Sequence, residues 1–106
     1  MNFGEAIELL NQGKMLTRKG WNGKGLFVFK QIPAEINKDV VPKMQSLPVD
    51  VKTELLKRFN SPGFLSNHIY YDNQMAIVSM NNIINGWAPS VSDTLADDWM
   101  LYESTF

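Results

Sequence analysis

The first apolar positions of the chain, Phe3, Ala6, Ile7 and Leu10, recur at three- and four-residue spacing, the period of one helix face. Asn2 can cap such a helix, Glu5 completes a capping box three residues later, and Gly13 supplies a stop, so the pattern predicts an amphipathic helix from Phe3 to about Gln12. Beyond it the period changes. The segments "KMLTRK" and "GLFVFKQ" read as strands, joined by a glycine-rich loop carrying Trp21. From Gln31 to Asn67 the pattern breaks again, with prolines at 33, 42, 48 and 62. There only "VDVKTELLKRF" keeps an apolar stripe, at Val51, Leu55 and Phe59, which predicts one short helix inside an inserted excursion. The sheet is then expected to resume: "HIYYD" and "MAIVSM" flank Asn73 as a hairpin, and "NIINGWAP" follows a turn at Asn81 and Asn82. Ser90 and Asp93 fit the S-x-x-D capping pattern of a helical turn, and "WMLYES" closes as a strand. These elements sum to an α+β fold: a small antiparallel sheet, an N-terminal amphipathic helix packed on it, and a helical excursion at about residues 31–67 of a single domain, 1–106.

Composition narrows the function. A chain of 106 residues, 44% hydrophobic, has room for one small core, and its apolar content, with six phenylalanines and three tryptophans, predicts surface that a second copy covers. A formal net charge of -1 does not advertise a nucleic-acid or membrane partner. The charges are nonetheless sorted. Residues 1–30 carry five Lys/Arg against two Glu, whereas residues 81–106 carry four acids and no base, so the two ends are expected either to meet or to leave a local anion site. Without cysteine there is no disulfide or thiolate chemistry, which suits a reducing cytoplasm. No apolar run approaches the roughly 20 residues of a membrane span, and no leader pattern opens the chain.

Catalytic groups are sparse. The one histidine, His68, begins a strand without a ligand-spaced partner, so no metal site is expected, and no cofactor motif is present. Asp97 and Asp98 are adjacent, which in an extended chain points them to opposite sides; they read as flanking a turn and pairing with the basic N-terminal third rather than as an acid and base. "GKG" lacks the length and the hydroxyl of a Walker loop.

Binding chemistry is better represented. In "TRKGWNGKG", Gly20, Gly23 and Gly25 let backbone amides approach an anion, Arg18, Lys19 and Lys24 supply charge, and Asn22 can donate and accept. Trp21 is then either a stacking face for a base or a core residue above a turn, and the sequence leaves both open. A second loop, "NGWAPSVSD", holds Trp87, Ser90 and Asp93, which suit a ribose or else end a strand and cap a helix. Trp99 in an apolar strand reads as core.

The R-K-G-W-N-G motif at Arg18–Gly23 and the G-W-x-P-S-x-x-D-x-L-A-x-D-W motif at Gly86–Trp99 together resemble the Thoeris anti-defence type 2 family of phage proteins, across roughly half of the chain. The resemblance implies a non-enzymatic sponge acting in the cytoplasm of the infected bacterium, which sequesters glycocyclic ADP-ribose made by TIR-domain defence proteins. It also implies a homotetramer with pockets between subunits, and cyclic dinucleotides as further ligands of some members. The ligand residues it implies are Arg18, Trp21, Asn22, Gly23 and Lys24 in the first motif and Trp87, Ser90 and Asp93 in the second. Residues Gln31 to Asn67 depart from the family's compact pattern. Two other functions fit the same loops: cleavage of a cyclic nucleotide, and inhibition of a protein partner.

Overall fold

In the computed structural model, which describes residues 1–21, 24–64 and 66–104, the chain divides into two compact units, residues 1–32 with 73–106 and residues 33–72. The first unit opens with α1, Phe3–Asn11. Its capping box forms as the sequence predicts: the Asn2 side chain accepts from the Glu5 amide at 2.9 Å, and Glu5 accepts from the Asn2 amide at 3.1 Å. At the other end Gly13, at φ 86°, turns the chain into a Schellman closure. Its amide donates to the Leu10 carbonyl, and that of Lys14 donates to Leu9.

Five short strands follow in the same unit: β1 Leu16–Arg18, β2 Phe27–Lys30, β5 Met75–Val78, β6 Ile84–Gly86 and β7 Trp99–Leu101. They form one antiparallel sheet in the order β6-β5-β2-β1-β7. Register sorts the side chains. Leu16 opposes both Val28 and Leu101, Arg18 opposes Trp99, and Val28 opposes Ile77, so these positions share the face toward α1. There Ala6 and Leu10 of the helix, Leu16, Val28 and Trp99 form the buried core. Thr17, Phe27, Val78 and Met100 occupy the opposite face by the same alternation. Asn82, at φ 61°, makes the tight turn between β5 and β6 that the paired asparagines predict.

A short helix, α3 at Val91–Leu95, precedes β7 and carries the second predicted capping box: the Ser90 hydroxyl accepts from the Asp93 amide at 3.1 Å and the Asp93 carboxylate from the Ser90 amide at 2.9 Å.

The second unit contains β3 Ala34–Asn37, a 3-10 turn at Val41–Lys43, α2 Val49–Phe59 and β4 His68–Tyr71. Here the structure corrects the sequence reading. "HIYY" does not form a hairpin with "MAIV" around Asn73; β4 pairs antiparallel with β3, Ala34 opposite Tyr71 and Asn37 opposite His68, in a separate two-stranded sheet. The excursion therefore keeps its own strand pair, and β5 enters the main sheet between β2 and β6.

Candidate functional site

Arg18 is where the two motifs meet. It ends β1, across from Trp99, and its guanidinium is divided between two carboxylates: Nη1 lies 2.9 Å from Asp93 Oδ1 and Nε 2.8 Å from Asp98 Oδ1. The hydrogen bonds to Asp98 and then Asp93 raise the Arg18 pKa still further. Asp98 is held below the ordinary carboxylate value of 3.8 by Arg18 first, against a desolvation penalty, and also by the Gly20 amide. For Asp93, burial is the largest influence and opposes ionisation. It is outweighed by the Ser90 amide, Arg18 and the Ser90 side chain, so this pKa too is lowered.

The same carboxylates explain other motif positions. Asp98 accepts from the Gly20 amide at 2.9 Å, and a Cβ at position 20 would stand 3.0 Å from Asp98 Oδ2, so any other residue there would have to displace that carboxylate by a few tenths of an ångström. The backbone of Asp98 also accepts from the Lys19 amide at 3.1 Å. Asp93 is 8% exposed, and its carbonyl accepts from the Trp99 indole at 2.9 Å. The charge asymmetry between the ends of the chain is thus resolved as direct pairing, and Asp98, which sequence reasoning left as a turn residue pairing with the basic third, is a principal partner of Arg18.

The three tryptophans cluster. Trp21 meets Trp99 edge-on at 5.4 Å between centroids, Trp87 meets it edge-on at 5.9 Å, and Phe3 lies 5.6 Å from the same ring. Trp99 is buried, as expected; Trp21 and Trp87 are half-buried and pack against the core from either loop. Asn22 and Gly23 lie outside the described residues. His68 belongs to the second unit, where Nδ1 contacts the Asn67 side chain at 2.7 Å and Glu35 at 3.9 Å. Among the described residues no group of His, Asp or Glu has the arrangement of a metal site, and no helix is long and apolar enough to cross a membrane.

A cavity of about 760 Å³ opens beside the first loop, on the sheet face opposite α1. Lys19 and Lys24 contribute its positive charge, Phe27, Val78, Met100 and Tyr102 its apolar wall, and Glu103 a carboxylate; Arg18 also belongs to the lining, but its guanidinium is turned to Asp93 and Asp98 on the face toward α1. Gly25, at φ 74°, turns the chain at its rim. Of the residues singled out in the motifs, Arg18 and Lys24 line this cavity, while Trp21, Trp87, Ser90 and Asp93 stand in the tryptophan cluster and the Arg18 clasp that support it. Phe27 and Tyr102 were not legible as site residues, because their only signal was membership of strands.

Comparison with known proteins agrees with these motifs. Residues 1–102 match the model of the Thoeris anti-defense 2-like domain. The chain is similar to the Thoeris anti-defense 2 protein of Bacillus phage SP01, with 34% identity over 99 residues, covering 93% of this chain and 91% of the relative.

Proposed function

On the premise that the chain belongs to the Thoeris anti-defense 2-like family, and so to proteins that counter the Thoeris system, we propose that it is a phage protein that captures the signal glycocyclic ADP-ribose intact. Sequestration in the host cytoplasm would then keep the Thoeris effector from being switched on. The observation that carries this reading is the cavity of about 760 Å³ with Arg18, Lys19 and Lys24 in its lining. Its volume falls within the roughly 300–1,000 Å³ of small-molecule sites, and its two lysines, Lys19 and Lys24, match a ligand with two phosphates.

Within the site, Lys19 and Lys24 bind phosphate, and Arg18, held by Asp93 and Asp98, fixes the loop that carries them. Asp93, capped by Ser90, fixes the direction of the Arg18 guanidinium, so the second motif acts largely through the first. Trp21 and Trp87 anchor the two loops on Trp99 and serve the site by holding those loops in place. The protein works as a homotetramer, consistent with Ile84 on β6 and Met100 and Leu101 on β7, the two edge strands, which are 63%, 45% and 40% exposed. Cyclic dinucleotides are further ligands of the same chemistry.

Titration calorimetry with glycocyclic ADP-ribose tests the reading. Saturable binding that weakens with added salt is expected, and Lys24→Ala should reduce both the affinity and the salt dependence. Absence of binding at low salt would remove the proposal.

A further inference from the structure

The cavity beside the first loop has an aromatic wall that neither motif contains. Phe27 on β2 and Tyr102, immediately after β7, lie on the sheet face opposite α1, their ring centroids 4.9 Å apart and their planes inclined by 32°. Both rings are half-buried and both line the cavity, together with the exposed Lys19 and Lys24. We propose that this pair is the platform on which the base of a captured nucleotide stacks, and that it sets the preference for a base-bearing ligand over a bare phosphate; the inference rests on the sequestration reading.

The pair is suited to that task because each ring restricts the other's rotamers, so stacking a third ring costs little further side-chain entropy. The surrounding charge selects the occupant. An apolar peptide could cover the rings but would give Lys19 and Lys24 no counter-charge, whereas an inorganic anion would satisfy the lysines and leave the rings in water. A nucleotide meets both demands in one molecule. Glu103, next to Tyr102 and in the same lining, can accept from ribose hydroxyls or from the exocyclic amine of a purine. Trp21, by contrast, already presents its ring to Trp99, and its loop contributes charge to the cavity through Lys19 and Lys24.

The test compares Tyr102→Leu, which keeps apolar volume without a flat π face, with Tyr102→Phe, which keeps the face. Each folded variant is titrated with glycocyclic ADP-ribose and with pyrophosphate as the base-free probe. Tyr102→Leu should bind the nucleotide about tenfold or more weakly, Tyr102→Phe within about twofold of the parent, and pyrophosphate affinity should be the same in all three. Phe27→Leu carries the same comparison if Tyr102→Leu does not fold. A parent that binds and a Leu variant that binds equally well would overturn the platform alone, as would equal losses for both probes. A parent that binds no nucleotide would overturn the sequestration reading and the platform with it.

Discussion

Arg18 and Asp93, 75 residues apart in sequence, are joined at 2.9 Å between Nη1 and Oδ1, and that contact ties the loop after β1 to the short helix before β7. Asp93 also closes the capping box with Ser90, so one carboxylate serves a helix end and an ion pair at once. Asp93→Ala should therefore cost about 2–3 kcal/mol, more than the roughly 1 kcal/mol of Ser90→Ala, because it loses the Arg18 contact as well. Chemical denaturation of both variants checks the order; a larger loss from Ser90→Ala would contradict it.

The same pair fixes a pH response. Asp93 and Asp98 both have folded pKa values below the ordinary 3.8, so each binds its proton more weakly in the folded state than in the unfolded chain. Their contribution to stability is complete above the unfolded value, about 3.9, and is lost as pH falls through the lower folded values. Melting temperature should drop steeply below about pH 4. In Asp93→Asn that acid-side slope should be shallower, which thermal scans between neutral and acid pH will read.

Gly20 is favoured by proximity rather than by backbone angle. A Cβ there would meet Asp98 Oδ2 at 3.0 Å, so Gly20→Ala shifts the carboxylate by a few tenths of an ångström against Arg18 and the residue 20 amide. Reduced nucleotide capture together with a lower melting temperature is expected. A variant that binds and melts like the parent would show that the clasp yields without consequence.

The tryptophans should separate by burial. Trp99→Ala removes a buried ring that Phe3, Trp21 and Trp87 all touch, and should cost about 3–5 kcal/mol, enough to threaten folding of a small domain. Trp21→Ala removes a half-buried ring and should cost about half as much, leaving a folded protein whose capture can still be measured. Melting curves of the two variants, side by side, decide the ranking.

Much of the main unit was legible because its determinants are local. The capping boxes at Asn2/Glu5 and Ser90/Asp93, the stop at Gly13 and the turn at Asn82 each depend on residues within a few positions of one another. The pairing of β3 with β4 was not. "AEIN" alternates weakly, follows Pro33 and exposes Glu35 and Asn37, so nothing local marks it as the partner of "HIYY" across 30 intervening residues of excursion. The charged ends of the chain left pairing and a local anion site both open, and charge counting neither names Arg18 as the paired base nor distinguishes Asp97, whose carbonyl accepts from the N-terminal ammonium, from Asp98, whose carboxylate takes Arg18. Nor could it show that Phe27 and Tyr102 touch, because that contact exists only once β1 has paired with both β2 and β7.

The central claim is capture without conversion, and recovery of the ligand tests it most directly. The protein is incubated with glycocyclic ADP-ribose, separated from free nucleotide by gel filtration and heat-denatured, and the released material is identified by mass spectrometry and chromatographic comparison with the starting compound. The account expects the starting compound back, unaltered and in stoichiometric amount. A cleaved or rearranged nucleotide in the released fraction, or no nucleotide carried through the column, would contradict it.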